Sequence, residues 1–123
     1  MPEINKVLIA GRLTEDPTVK YTADGIAVAN LRLAVNHYTK DKQEPETSFF
    51  DVVAYGKVGQ FVEQNIKRAD QILVDGRLRQ VKYSIKTEGE EKIRSRVEIV
   101  ANSVFPISLS ADKLLDEKST IEY

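Results

Sequence analysis

The chain has 123 residues, 41% hydrophobic and 30% charged, with a formal net charge of -1; that is enough apolar material for one core and too little for two. It has no cysteine and a single histidine, His37, so a disulfide framework, thiolate chemistry and a zinc site built from Cys and His are excluded. No apolar run reaches the roughly 18 residues of a membrane span, and MPEINKVLIAGR lacks the pattern of a secretory signal, so the protein reads as soluble and cytoplasmic.

Asn5 to Leu13, NKVLIAGRL, is an aliphatic and β-branched run closed by the turn-prone TEDP, and it reads as a first strand with a bend at Gly11. DPTVKYTADG, from Asp16 to Gly25, reads as turns, because Asp-Pro and Asp-Gly both favour them. Ile26 to Asn36 then alternates, with Leu31, Leu33 and Val35 on one face and Asn30, Arg32 and Ala34 on the other, as a second, half-buried strand. The polar HYTKDKQEPET that follows reads as an exposed loop.

Ser48 to Tyr55 supplies a third strand, with Phe50, Val52 and Ala54 toward the core and Phe49 and Tyr55 away from it. From Lys57 the period changes: Val58, Phe61, Val62 and Ile66 recur at three and four residues, which predicts one amphipathic helix of about three turns. Gln71 to Tyr83 returns to alternation as a fourth strand, with Ile72, Val74 and Leu78 on one face, Arg77, Arg79, Val81 and Tyr83 on the other, and a bend at Gly76. KTEGEEK reads as a hairpin tip, and Ile93 to Phe105 as a fifth strand on which Arg94 and Arg96 share a face.

Five strands with one short helix between the third and fourth predict an all-β fold, a five-stranded Greek-key barrel of the OB type, over residues 1–106. The pattern alone leaves an SH3-like barrel or an α+β sandwich open. Residues 107–123 read as a short, charged, flexible tail. It holds Asp112, Asp116, Glu117 and Glu122 against Lys113 and Lys118, so the body before it is slightly less acidic than the whole.

On such a barrel Phe49, Tyr55 and Tyr83 would lie outside the core among Arg77, Arg79, Arg94 and Arg96. Single-stranded nucleic acid requires this combination, because bases stack on rings while cations neutralise phosphates. Tyr38, Lys40 and Lys42 in the loop extend the candidate set. Taken singly, each ring is as well explained by a cross-strand pair or a subunit contact, and each arginine by a surface pair with Glu88, Glu90, Glu91 or Glu98. No phosphate-binding glycine loop, nucleophile signature or metal-ligand spacing is present, so neither an enzyme nor a cofactor is expected.

NKVLIAGRLTEDPTVKYTADGIAVANLRLAVN, FFDVVAYGK and VDGRLRQVKY together resemble the bacterial-type single-stranded DNA-binding proteins, and the resemblance spans about Ile4 to Phe105. It implies an OB-fold that binds single-stranded DNA with little sequence preference during replication, recombination or repair. It also implies a homotetramer, a dimer of dimers, in the cytoplasm of a bacterial cell or a phage-infected host. The family's stacking aromatics fall here on Phe49, Tyr55 and Tyr83, with a loop position near Tyr38 and Thr39. Tryptophan, common at these places in the family, is absent. The ending LDEKSTIEY has neither the linker nor the Pro-Phe of the acidic tail through which relatives recruit replication and repair proteins. Two other readings of the same residues are a dimeric replication-restart accessory of this fold and an OB-domain subunit of an RNA-handling enzyme.

Overall fold

Each alternating stretch of the sequence needs a partner for its backbone groups and a cover for its apolar side. The computed structural model describes residues 2–41 and 43–108 and shows how both are met. Six strands, β1 (Val7–Leu13), β2 (Thr18–Tyr21), β3 (Ala27–His37), β4 (Glu46–Tyr55), β5 (Gln71–Thr87) and β6 (Glu90–Ser108), are joined with one helix among the described residues, α1 (Gly56–Asn65).

The hydrogen-bonded order β1-β5-β6-β4-β3 returns to β1 through Arg12↔Ala34 and Leu13↔Leu33, which closes a five-stranded barrel. All its ladders are antiparallel except β4–β6, where Val52↔Ile99 and Val53↔Val100 run parallel. This is the OB-type barrel expected from the sequence, with its helix between β4 and β5. β2 is an addition to the expected elements. It pairs with Ala27–Asn30 on the edge of β3 that β1 takes over at Leu33. Four residues, TVKY, are too few to display an alternation among turn formers.

The core is filled from every barrel strand by Leu13, Leu31, Leu33, Val52, Ile72, Val74, Ile99 and Val104, and closed at one end by Val62 and Ile66 of the α1 segment. Each such side chain contributes about 1.5–3 kcal/mol by leaving water. The first turn of α1 has no side-chain cap, so packing of Val62 onto the barrel is what holds it there. Phe61, next round the helix from Val62, stays exposed.

β5 and β6 are far longer than their neighbours. The β1–β5 ladder ends at Val7↔Gly76, and the β4–β6 ladder covers only Ile99 and Val100 of β6. Arg77 to Thr87 and Glu90 to Glu98 therefore form a two-stranded arm beyond the barrel, about 35 Å long at the usual rise per residue. At its root the β5–β6 register shifts between Asp75 and Gly76, and a side chain on Gly76 would meet the Val100 carbonyl oxygen at 2.2 Å. At its tip, in the hairpin expected at KTEGEEK, Glu88 and Gly89 make a two-residue turn with φ of 49° and 80°.

Two side chains expected in the core are not there. Leu78 has the inward parity but is 46% exposed, because it lies on the arm past Val7, where β1 begins. Phe50 is 37% exposed because β6 flanks β4 only at Val52 and Val53, leaving Phe50 without a neighbour on that side. β6 runs through Pro106 to Ser108, and residues 109–123 of the expected tail, 107–123, lie outside the described residues. No helix among the described residues is long and apolar enough to cross a membrane.

Candidate nucleic-acid interface

Paired residues on a ladder face the same way, so register decides which side chains meet. Arg79↔Glu98, Val81↔Arg96 and Tyr83↔Arg94 place Arg79, Tyr83, Arg94, Arg96 and Glu98 on one face of the arm, with Arg77 opposite Val100. Val53↔Val100 carries that face onto β4, where Phe49, Asp51 and Tyr55 share it, and Arg32↔Asp51 and Ala34↔Phe49 carry it onto β3. Val53, in the middle of this face between Asn30 and Val100, is buried. The rings of Phe49, Tyr55 and Tyr83 are 52%, 39% and 39% exposed.

Each of the three rings carries a guanidinium. Arg32 lies over Phe49 at 5.2 Å from the ring centroid, Arg79 over Tyr55 at 5.4 Å, and Arg96 over Tyr83 at 5.7 Å. All three separations are within cation–π range.

Two of these pairs are tied together by one carboxylate. Glu98 is 7% exposed, and its Oε1 accepts from Arg79 Nε at 3.1 Å and also from Arg79 Nη2. Arg79 Nη2 donates again to the Tyr55 hydroxyl at 2.6 Å, and Arg96 Nη2 stands 3.9 Å from Glu98 Oε2. The result is a chain across the strands: Tyr55, Arg79, Glu98, Arg96, Tyr83. The Glu98 carboxylate, and after it the Tyr55 hydroxyl, raise the Arg79 pKa above its ordinary value, so this guanidinium is permanently charged.

Arg77 and Arg94 are exposed and make no ion pair among the described residues. Tyr38, at the start of the loop after β3, is exposed and lines a groove of about 300 Å³ with Gly11, Arg12 and Asn36, away from the arm. Lys40 is exposed on the same loop, and Lys42 lies outside the described residues.

The sequence put Phe49 and Tyr55 on one face by alternation alone. It did not pick out Arg32 as the partner of Phe49, since that requires the β3–β4 register, nor Glu98 as the hub, since Glu98 and Arg79 are nineteen residues apart. Arg12, with Nη1 donating to the Ala69 carbonyl at 2.6 Å on the Tyr38 groove, was likewise invisible. Half-exposed rings backed by fixed cations can stack planar groups and hold anions beside them.

The chain matches the single-strand binding protein family over residues 4–107. It is 38% identical over 106 residues to a protein of Treponema pallidum, covering 85% of this chain and 58% of that protein. It is 39% identical over 104 residues to one of Aquifex aeolicus, covering 82% of this chain and 68% of that one. The corresponding figures for a Xanthomonas campestris protein are 36% over 104 residues, 82% and 59%. Each of these relatives is named a single-stranded DNA-binding protein. The chain thus spans roughly three fifths of the length of two of these three relatives. With the family matched from the first strand to the last and the barrel closed as described, the chain belongs to the single-strand binding protein family.

Proposed function

We propose that this chain binds single-stranded DNA with little sequence preference and protects exposed strands during replication, recombination or repair. Bases stack on Phe49, Tyr55 and Tyr83, with Tyr38 as an outlying platform. Arg77, Arg79, Arg94, Arg96, Lys40 and Lys42 supply the positive charge along the strand. The binding domain is residues 1–106, with 107–123 as a tail, acting in the cytoplasm of a bacterial cell or a phage-infected host. One observation carries this reading: three half-exposed rings on one continuous face, each with an arginine over it. Base–aromatic stacking contributes about 1–3 kcal/mol per base.

The proposed assembly is a homotetramer. It is supported by Leu78, Ile93 and Val97, exposed together on the opposite face of the arm, since apolar patches of this kind favour burial against another subunit. Light scattering on the purified chain tests it, a monomeric mass being the adverse result.

The binding reading is tested by titrating oligo-dT of increasing length into the wild type and into Phe49→Ala with Tyr55→Ala. Affinity is expected to fall by at least about tenfold, one base's stacking, while the melting profile stays cooperative. Equal affinity of the two proteins removes the rings from the site.

A further inference from the structure

Among the four arginines on the arm, two are tied to a buried carboxylate and two are not, and this difference bears on what each can do for a bound strand. Arg79 spends two donors on Glu98 and another on the Tyr55 hydroxyl. Arg96 faces the second oxygen of the same carboxylate at 3.9 Å. A phosphate that recruited Arg79 would have to strip Glu98 of its partner, leaving a buried carboxylate under-paired, and such a loss is heavily penalised. Arg77 and Arg94 have no such commitment among the described residues.

Resting on the proposed single-stranded DNA binding, we propose that Glu98 is a positioning residue. It holds Arg79 against the Tyr55 ring and draws Arg96 toward the same hub, and it cancels one of their two charges. The Arg79–Glu98–Arg96 trio then presents one net positive charge to DNA, while Arg77 and Arg94 present one each. Arg79 acts as a fixed cationic backing for a stacking ring and leaves phosphate contact to the others. The arrangement limits salt-sensitive binding at the Tyr55 end of the track without removing its ring. It also fixes the plane on which a base is received, because a guanidinium with three engaged donors has little rotational freedom left.

The slope of log K against log salt reads this directly, since each phosphate neutralised on a single strand contributes about 0.7 to its magnitude. A role confined to stability would leave the slope unchanged. Oligo-dT is titrated at several salt concentrations with the wild type, Glu98→Gln, and the paired Arg79→Gln/Glu98→Gln. Glu98→Gln raises the trio to two net charges, so its slope is expected to steepen by about 0.7, an extra loss of about threefold in affinity from 50 to 200 mM salt. The paired variant restores one net charge and is expected to return to the wild-type slope with weaker binding throughout. It also removes the buried charge, so it tests the proposal even where Glu98→Gln alone fails to fold.

A Glu98→Gln slope equal to that of the folded wild type, or a paired-variant slope flatter by about 0.7, overturns the assignment, the second because Arg79 would then be touching phosphate. A wild type that does not bind oligo-dT at all overturns the binding reading and this one with it. Binding by the wild type with either adverse slope overturns this one alone.

Discussion

The guanidinium carbon of Arg32 on β3 sits 5.2 Å from the ring centroid of Phe49 on β4, and its Nη1 stands 3.5 Å from Asp51 Oδ1. The contact is diagonal across the ladder, since Arg32 pairs with Asp51 and Phe49 with Ala34. Arg32→Ala is expected to weaken oligo-dT binding about three- to tenfold, combining a cation–π loss of about 0.5–1 kcal/mol with one fewer cation near the strand. Gel shift at fixed salt checks it; a change under about twofold shows Arg32 idle.

Gly76 is where the barrel ends and the arm begins. A Cβ there would lie 2.2 Å from the Val100 carbonyl oxygen and 3.2 Å from the Ala101 Cα, both backbone atoms in a buried ladder. Gly76→Ala must spread β5 from β6 at the root, and overpacking of this kind costs about 1–3 kcal/mol or more. Urea unfolding should show a lower midpoint with m nearly unchanged, and loss of stability under about 0.5 kcal/mol would contradict the contact.

The tip of the arm holds Glu88 at φ 49°, a backbone region that non-glycine residues occupy at a cost, beside Gly89 at φ 80°. Positive φ at both central positions is what a type I′ hairpin turn demands, and Asn-Gly meets that demand best. Glu88→Asn is expected to stabilise the protein by about 0.5–1 kcal/mol, read as a raised midpoint of unfolding. No change, or a loss, would indicate that the tip does not adopt this turn.

Tyr21 on β2 donates its hydroxyl to Glu63 Oε1 at 2.6 Å, and that bond, with desolvation and the carboxylate's charge behind it, raises the phenol's pKa above its ordinary 10.0. A folded-state pKa above the unfolded one means the folded chain binds the proton more tightly. The contribution to stability is therefore full below about pH 10 and lost as pH rises through the raised value. The stability gap between wild type and Tyr21→Phe should be constant from neutral pH to about 10 and close above it. Chemical denaturation across pH 7 to 11.5 measures the gap, and a gap that persists at the alkaline end argues against the hydrogen bond.

Alternation and the helical period are local properties, set by which side of the backbone successive residues occupy. For that reason β3, β4, α1 and most of β5 could be read from the chain, as could the shared face of Phe49 and Tyr55. Their order, with one helix between the third and fourth strands, pointed to an OB-type barrel while leaving an SH3-like barrel or an α+β sandwich open, and the long family resemblance implied the same OB fold. Burial is a different quantity, because it depends on whether another strand exists alongside. Leu78 and Phe50 have core parity yet meet solvent, one past the start of β1 and the other beyond the short β4–β6 ladder.

Charge pairing depends on register in the same way. By itself the sequence determined the order of the five barrel strands, a short helix between the third and fourth of them, the outward rings and the supply of arginines. Only the tertiary structure decided that Arg32 serves Phe49, that β2 exists, and that Glu98 binds Arg79 and draws in Arg96 while Arg77 and Arg94 go unpaired among the described residues. Such contacts join residues far apart in the chain, and a local pattern carries no information about which of several equivalent partners a ladder brings opposite.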